Sequence, residues 1–161
     1  MKHRQILISM ILCCLTTACV VDEPDIDTIS IERSWLTGQW QLTRKVIDYN
    51  IIAAGITVKS EKIDDSFSVG HRDTFDLRMD NTFIVNTDTA GTWDADEQYL
   101  QLNITNPAVD YYQDLQTLHL GTNLRCKVTA QDSSHIVLYY FGQKNIIVGN
   151  LNGQLWFYLE R

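Results

Sequence analysis

The chain reads as an all-β protein: an antiparallel up-and-down barrel of about eight to ten strands, preceded by a short helical turn. Three observations carry this. Apolar residues recur at every second position in short runs, the period of a strand with one buried face. Tight polar turn signals such as Asp80-Asn81 and Asn152-Gly153 separate the runs and favour hairpins between neighbours in sequence. A helical period is almost absent outside the short stretch Ser30–Leu36. Consecutive hairpins favour the up-and-down order over a Greek key, and a barrel of about eight strands has room inside for side chains or one small ligand.

The elements follow in order. Ser30 can cap a helix, and Ile31, Ser34 and Trp35 fall at helical spacing before Gly38. Trp40, Leu42 and Val46 then alternate with Gln39, Gln41, Thr43 and Lys45, a half-buried strand. The apolar stretch Ile51–Ile56 has no clean period, and Asn50 to Ser68 is a short helix or a lid-like loop. Phe75, Leu77 and Met79 share one face of the next strand, Asp80-Asn81 turns it, and Thr82–Val85 returns. Asn tolerates the positive φ that such a hairpin needs. Gly91–Asp94 is a short strand ended by the acidic turn Asp94–Glu97. Leu100, Leu102 and Ile104 alternate, as do Leu124, Cys126, Val128 and Ala130 after a longer connection. Ser134–Phe141 is a dense apolar strand, with Gly142–Asn145 as a turn and Ile146–Val148 running back. Asn152-Gly153 makes another hairpin, and Leu155–Leu159 closes the chain.

The N-terminus carries an address. Basic Met1–Arg4, the apolar run Ile6–Leu15 and small residues before Cys19 have the build of a secretory signal, and the run is too short for a permanent membrane span. The organisation expected is a signal over 1–18, an acidic tether over 19–33 and a barrel domain over 34–161. Cleavage before Cys19 removes Lys2 and Arg4 and takes the formal net charge from −7 to −9. An acidic surface disfavours nucleic acid and flat docking on anionic headgroups, so a membrane anchor has to come from lipid. Of the four cysteines, Cys13 and Cys14 leave with the signal, Cys19 has no evident partner, and Cys126 sits in an apolar run as a small core residue.

Leu15-Thr16-Thr17-Ala18-Cys19 resembles a bacterial lipobox, with Thr16 where the family usually has leucine. The resemblance implies that Cys19 takes lipid, palmitate included, and becomes the first residue of an outer-membrane lipoprotein. Asp22-Glu23 resembles the export tag that sends some lipoproteins of Bacteroidetes to the outer cell surface. Further on, Gly38-Gln39-Trp40 is similar to the G-x-W that opens lipocalins. Phe75–Phe83 resembles the "F-x-F-x-x-D-G-T-F" hairpin of bacterial lipocalin-like domains, with Asn81 in place of glycine. Gly91-Thr92-Trp93 with Leu100-Gln101-Leu102 resembles their next hairpin, and Leu155–Arg161 their closing strand. The resemblance covers residues 34–161. It implies that Arg161 lies across the Trp40 ring.

No residue pattern names a reaction. His71, His119 and His135 lack metal-ligand spacing, and Asp64-Asp65 and Asp94/Asp96/Glu97 read as solvated turns. No metal, cofactor or catalytic role is expected. The inward candidates are Trp40, Leu42, Phe75, Leu77, Phe83, Trp93, Leu102, Val128, Tyr140 and Phe157. They either fill the core or line a cavity for an apolar molecule, and alternation alone does not separate the two. Tyr139, Phe141, Trp156 and Tyr158 fall on the opposite face, open to a partner or covered by the Trp35-Leu36 turn or by residues 50–68. The Asn106–Gln116 connection is long enough to serve as a rim or binding loop. The function expected is a lipid-anchored binding module for a small hydrophobic molecule. The alternative is a surface protein-interaction or assembly component with a filled barrel.

Overall fold

A computed structural model describes residues 22–28, 30–107, 121–129 and 134–161. The predicted lipid site Cys19, the signal, His119 and positions 108–116 of the long connection lie outside the described residues. The elements are α1 (Arg33–Leu36), β1 (Gly38–Ala53), β2 (Ile56–Ser66), β3 (Thr74–Leu77), β4 (Thr82–Val85), β5 (Asp88–Ala95), β6 (Tyr99–Ile104), β7 (Asn123–Val128), β8 (His135–Ile146) and β9 (Gly149–Glu160). Each strand from β3 to β9 pairs antiparallel with the next, and β1 joins β9 to β3, closing an eight-stranded barrel. The ninth strand, β2, pairs with β1 alone among the described residues.

β1 is long enough to serve both. Gly38–Gln41 pairs with β3, Arg44–Ala53 pairs with β2, and the opposite edge runs along β9. The base of the barrel, where α1 sits, is therefore ringed by all eight strands. Above it a four-stranded ribbon, β2-β1-β9-β8, continues upward. Every described element, and every described core residue, falls within 31–161. Ile31 is buried and its N–H donates to the Glu97 carbonyl, tying the end of the tether to the β5–β6 turn.

The base is plugged from below. Trp40 Nε1 donates to the Leu36 carbonyl at 2.8 Å, and Trp35 packs edge-on to Trp40 with ring centroids 6.1 Å apart. The Arg161 guanidinium lies 4.1 Å above the Trp40 ring and donates to the carbonyls of Trp35 and Thr37 at 2.8 and 2.7 Å. This is the placement that the resemblance implied for Arg161.

Four local expectations need correction. Thr43 is bulged out of the β1–β9 ladder, so the alternation reverses there. Trp40 and Leu42 face inward, and beyond the bulge Ile47 and Tyr49 join the core while Val46 turns to the outer face. Residues 50–66 are the β1–β2 hairpin, turned at Ala54-Gly55 with φ +51° and +79°, and not a helix or a loose lid. Met79 leaves the strand for the turn and is 81% exposed, while Asn81 takes the expected positive φ of 71°. Finally, Gly142–Asn145 and Asn152-Gly153 are not turns. β8 and β9 run straight through them, and the chain reverses at Ile147-Val148. The polar residues that signal turns make a cross-strand amide ladder instead. Gln143 donates to Asn152 at 2.7 Å and Asn152 to Asn50 at 3.0 Å, which satisfies the buried Asn152 side chain.

Candidate functional site

Nine of the ten inward candidates, Trp40, Leu42, Phe75, Leu77, Phe83, Trp93, Leu102, Val128 and Phe157, are buried in one core cluster. Phe75 lies at its centre, edge-on to Phe83 at 5.3 Å and to Phe157 at 5.6 Å. Such T-shaped pairs hold rings in fixed positions. Trp93 Nε1 donates to the Arg78 carbonyl at 2.7 Å, which orients the indole from outside. These side chains occupy the lower interior. The tenth, Tyr140, is only half-buried and stands at the start of the ribbon.

The inner face of the ribbon can be built row by row, because residues opposite each other in an antiparallel ladder share a face. Tyr140, Leu155 and Ile47 form the first row. The second is Gly142, Gly153 and Tyr49, two glycines beside one aromatic ring. The third is Lys144, Leu151 and Ile51, and above it Ile146 pairs with Gly149. The glycine pair is a shelf without side chains, bounded below by Tyr140, Leu155 and Ile47 and above by Leu151 and Ile51. Ile51, Tyr140 and Ile146 are only partly buried, so the described residues leave the apolar inner face incompletely covered here.

A polar cluster borders the shelf. The Tyr49 hydroxyl donates to Glu61 Oε2 at 2.5 Å and accepts from Lys59 Nζ at 2.7 Å, and Lys59 pairs with Glu61 at 3.0 Å. The Tyr49 hydrogen bond, then Lys59, holds the Glu61 carboxyl below its ordinary range. The same hydroxyl, then Glu61, holds Lys59 above its own.

On the outer face the covered alternative holds for Tyr139. Tyr139 is fully buried, not exposed, and packs on half-buried Trp156 at 5.3 Å. Trp35 is engaged with Trp40 at the base. Glu23 of the tether instead reaches this side of the barrel, pairing at 3.1 Å with Lys127, which lies opposite Tyr139 in the ladder. Burial, and then the Glu23 charge, push the Tyr139 phenol up to about 12. Its hydroxyl has no hydrogen-bond partner. Cys126 is a buried free thiol pushed up to about 12 by desolvation, the state of a core residue rather than a reactive one. Around the barrel, a cavity of about 290 Å³ on the β5–β6 wall is lined by Asn81, Thr92, Trp93, Asp94, Gln101 and Asn103. Arg33 crosses the Trp93 ring at 4.6 Å and binds Asp94 and Asn81, so these two polar groups of the wall are engaged by one guanidinium. His71 and His135 are exposed, and no group of metal-binding side chains occurs among the described residues.

Alternation picked out the buried half of the interior but missed Ile47, Tyr49, Ile51, Gly142 and Gly153. The bulge at Thr43 hid the first three and turn chemistry disguised the glycines. No protein-family model, no curated protein and no solved structure matches this chain.

Proposed function

We propose that the protein is a lipid-anchored, lipocalin-like binding module of the outer membrane that holds a small hydrophobic molecule on the inner face of its upper ribbon. One observation carries this reading: the barrel is asymmetric. Its base is shut by α1, Trp40 and Arg161, while the other end keeps half-buried Ile51, Tyr140 and Ile146 around the Gly142–Gly153 shelf. Small-molecule sites are concave, mostly apolar and bordered by a few polar groups, and the Tyr49–Lys59–Glu61 cluster is such a border. The membrane partner is reached through acylated Cys19, and no cofactor or nucleic acid takes part.

Native mass spectrometry of protein released gently from membranes tests the ligand. A bound apolar species is expected, lost in Gly153→Leu, whose side chain would fill the shelf, with the circular dichroism spectrum retained. Bare protein from several preparations would overturn the reading. It would favour the second one, a surface assembly component, which the aromatic filling of the lower interior supports. Labelling with radioactive palmitate tests the anchor: Cys19→Ala should abolish it, and unchanged labelling would end the lipoprotein assignment.

A further inference from the structure

The two hairpin tips at the upper end break the rules of their turns. The β8–β9 reversal is made by Ile147 and Val148, 106% and 60% exposed, where two-residue hairpin loops ordinarily carry Gly, Asn or Asp. The neighbouring β1–β2 tip exposes Ile56 at 68% and Val58 at 59%. The tips lie side by side. Ile52 pairs with Asn150, and Gly149 approaches so closely that a Cβ there would sit 2.2 Å from the Ile52 carbonyl oxygen. Four of the seven large exposed hydrophobics among the described residues are gathered here, which makes the tips a patch rather than scatter. Sequence that contradicts its local structure marks sites kept for another purpose.

The charge pattern says what the patch meets. No Asp, Glu, Lys or Arg occurs from Tyr49 to Val58 or from Asn145 to Leu159. The first charged residues behind the tips are Lys59 on β2 and Lys144 on β8, both cationic in a chain of net charge −7. Lys59 is paired with Glu61, so Lys144 is the cation of the patch that has no ion pair among the described residues. From the tips inward the order is aliphatic side chains, then amides (Asn145, Asn150), then lysines. That is the layering of a bilayer interface, with apolar groups among acyl chains and ammonium groups level with lipid phosphates.

We infer that the paired tips Ala54–Val58 and Ile146–Gly149 dock on an anionic lipid bilayer, inserting Ile56, Val58, Ile147 and Val148 while Lys144 contacts the headgroups. The contact is confined to the tips, where the first charges are cationic, and so is local, unlike the flat docking that the acidic balance of the whole chain disfavours.

The test uses the Cys19→Ala chain, which lacks the proposed acylation site. The chain is floated with vesicles of phosphatidylcholine, alone or mixed with phosphatidylglycerol. Binding to the anionic vesicles is expected, weakened by salt. The double variant Ile147→Asn/Val148→Ser should lower the partition coefficient about tenfold or more, since two aliphatic side chains lose their apolar surroundings. Lys144→Gln should reduce the preference for phosphatidylglycerol while the urea midpoint stays close to wild type. Absence of binding by the folded wild-type chain would overturn the inference, as would undiminished binding by the tip variant. A concentration-dependent dimer that the tip variant dissolves, without vesicle binding, would assign the patch to a second copy and overturn it equally.

Discussion

Replacing Arg161 by alanine tests whether the basal plug stabilises the barrel. The guanidinium contributes a cation–π contact at 4.1 Å to Trp40 and two hydrogen bonds to the carbonyls of Trp35 and Thr37. A cation over a Trp ring at an exposed site is worth about 0.5–1 kcal/mol. Each hydrogen bond adds about 0.5–1.5 kcal/mol net, toward the lower end here because the freed carbonyls near this exposed residue can turn to water. The expected loss is therefore about 2 kcal/mol. With a urea m-value of about 2 kcal/mol/M, the midpoint should fall by about 1 M at unchanged slope. Tryptophan fluorescence during urea titration reads it directly, since Trp35 and Trp40 are the residues capped. Arg161→Lys keeps the charge but loses the planar fork that serves the ring and both carbonyls together, and should recover less than half. A midpoint shift below about 0.2 M in Arg161→Ala would refute the reasoning, because it would leave the cap with no more than the worth of an ordinary surface ion pair.

Three further outcomes are expected. Tyr139→Phe removes a buried hydroxyl without a partner and should stabilise the fold by about 1 kcal/mol in the same titration. Cys126 should resist iodoacetamide at pH 8 in the folded protein and react fully in urea, because burial holds its thiol near 12. The backbone N–H groups of Gln98 and Tyr99, in the turn from β5 to β6, hold the Asp96 carboxyl below its ordinary 3.8. Its contribution is thus present above that ordinary value and lost as pH falls through the depressed one. A melting-temperature profile between pH 2 and 7 should show a shallower acid limb in Asp96→Asn.

The barrel was legible in sequence wherever one face of a strand is buried against the lower core. Phe75/Leu77, Leu100/Leu102/Ile104 and Leu124/Cys126/Val128 each show the period-two signature and each is buried as expected. The ribbon was not legible, and the reasons are local. One bulged residue, Thr43, exchanges the two faces of β1, and no property of a threonine announces a bulge. Asn152 and Gly153 carry the strongest hairpin signal in the chain, yet the amide ladder and the glycine pairing use them in mid-strand. The true turn at Ile147-Val148 has the composition of a strand. The candidate site lies where these signals mislead, so alternation chose the packed residues and passed over the shelf.

The shortest ladder in the barrel has a kinetic meaning. Among the described residues, β7 and β8 pair only at Lys127–Tyr139 and Val128–Leu138, with one further bond from Thr129 N–H to the Val137 carbonyl, whereas β8 and β9 are zipped along their full length. Prising the wall apart at this seam breaks the fewest bonds, and it parts directly beside Tyr140. The hydrophobic molecule proposed to occupy the shelf would then pass sideways through a slit, at a rate set by how often a few rungs open. Residence time would respond to substitutions along β7 and β8 even where equilibrium affinity does not.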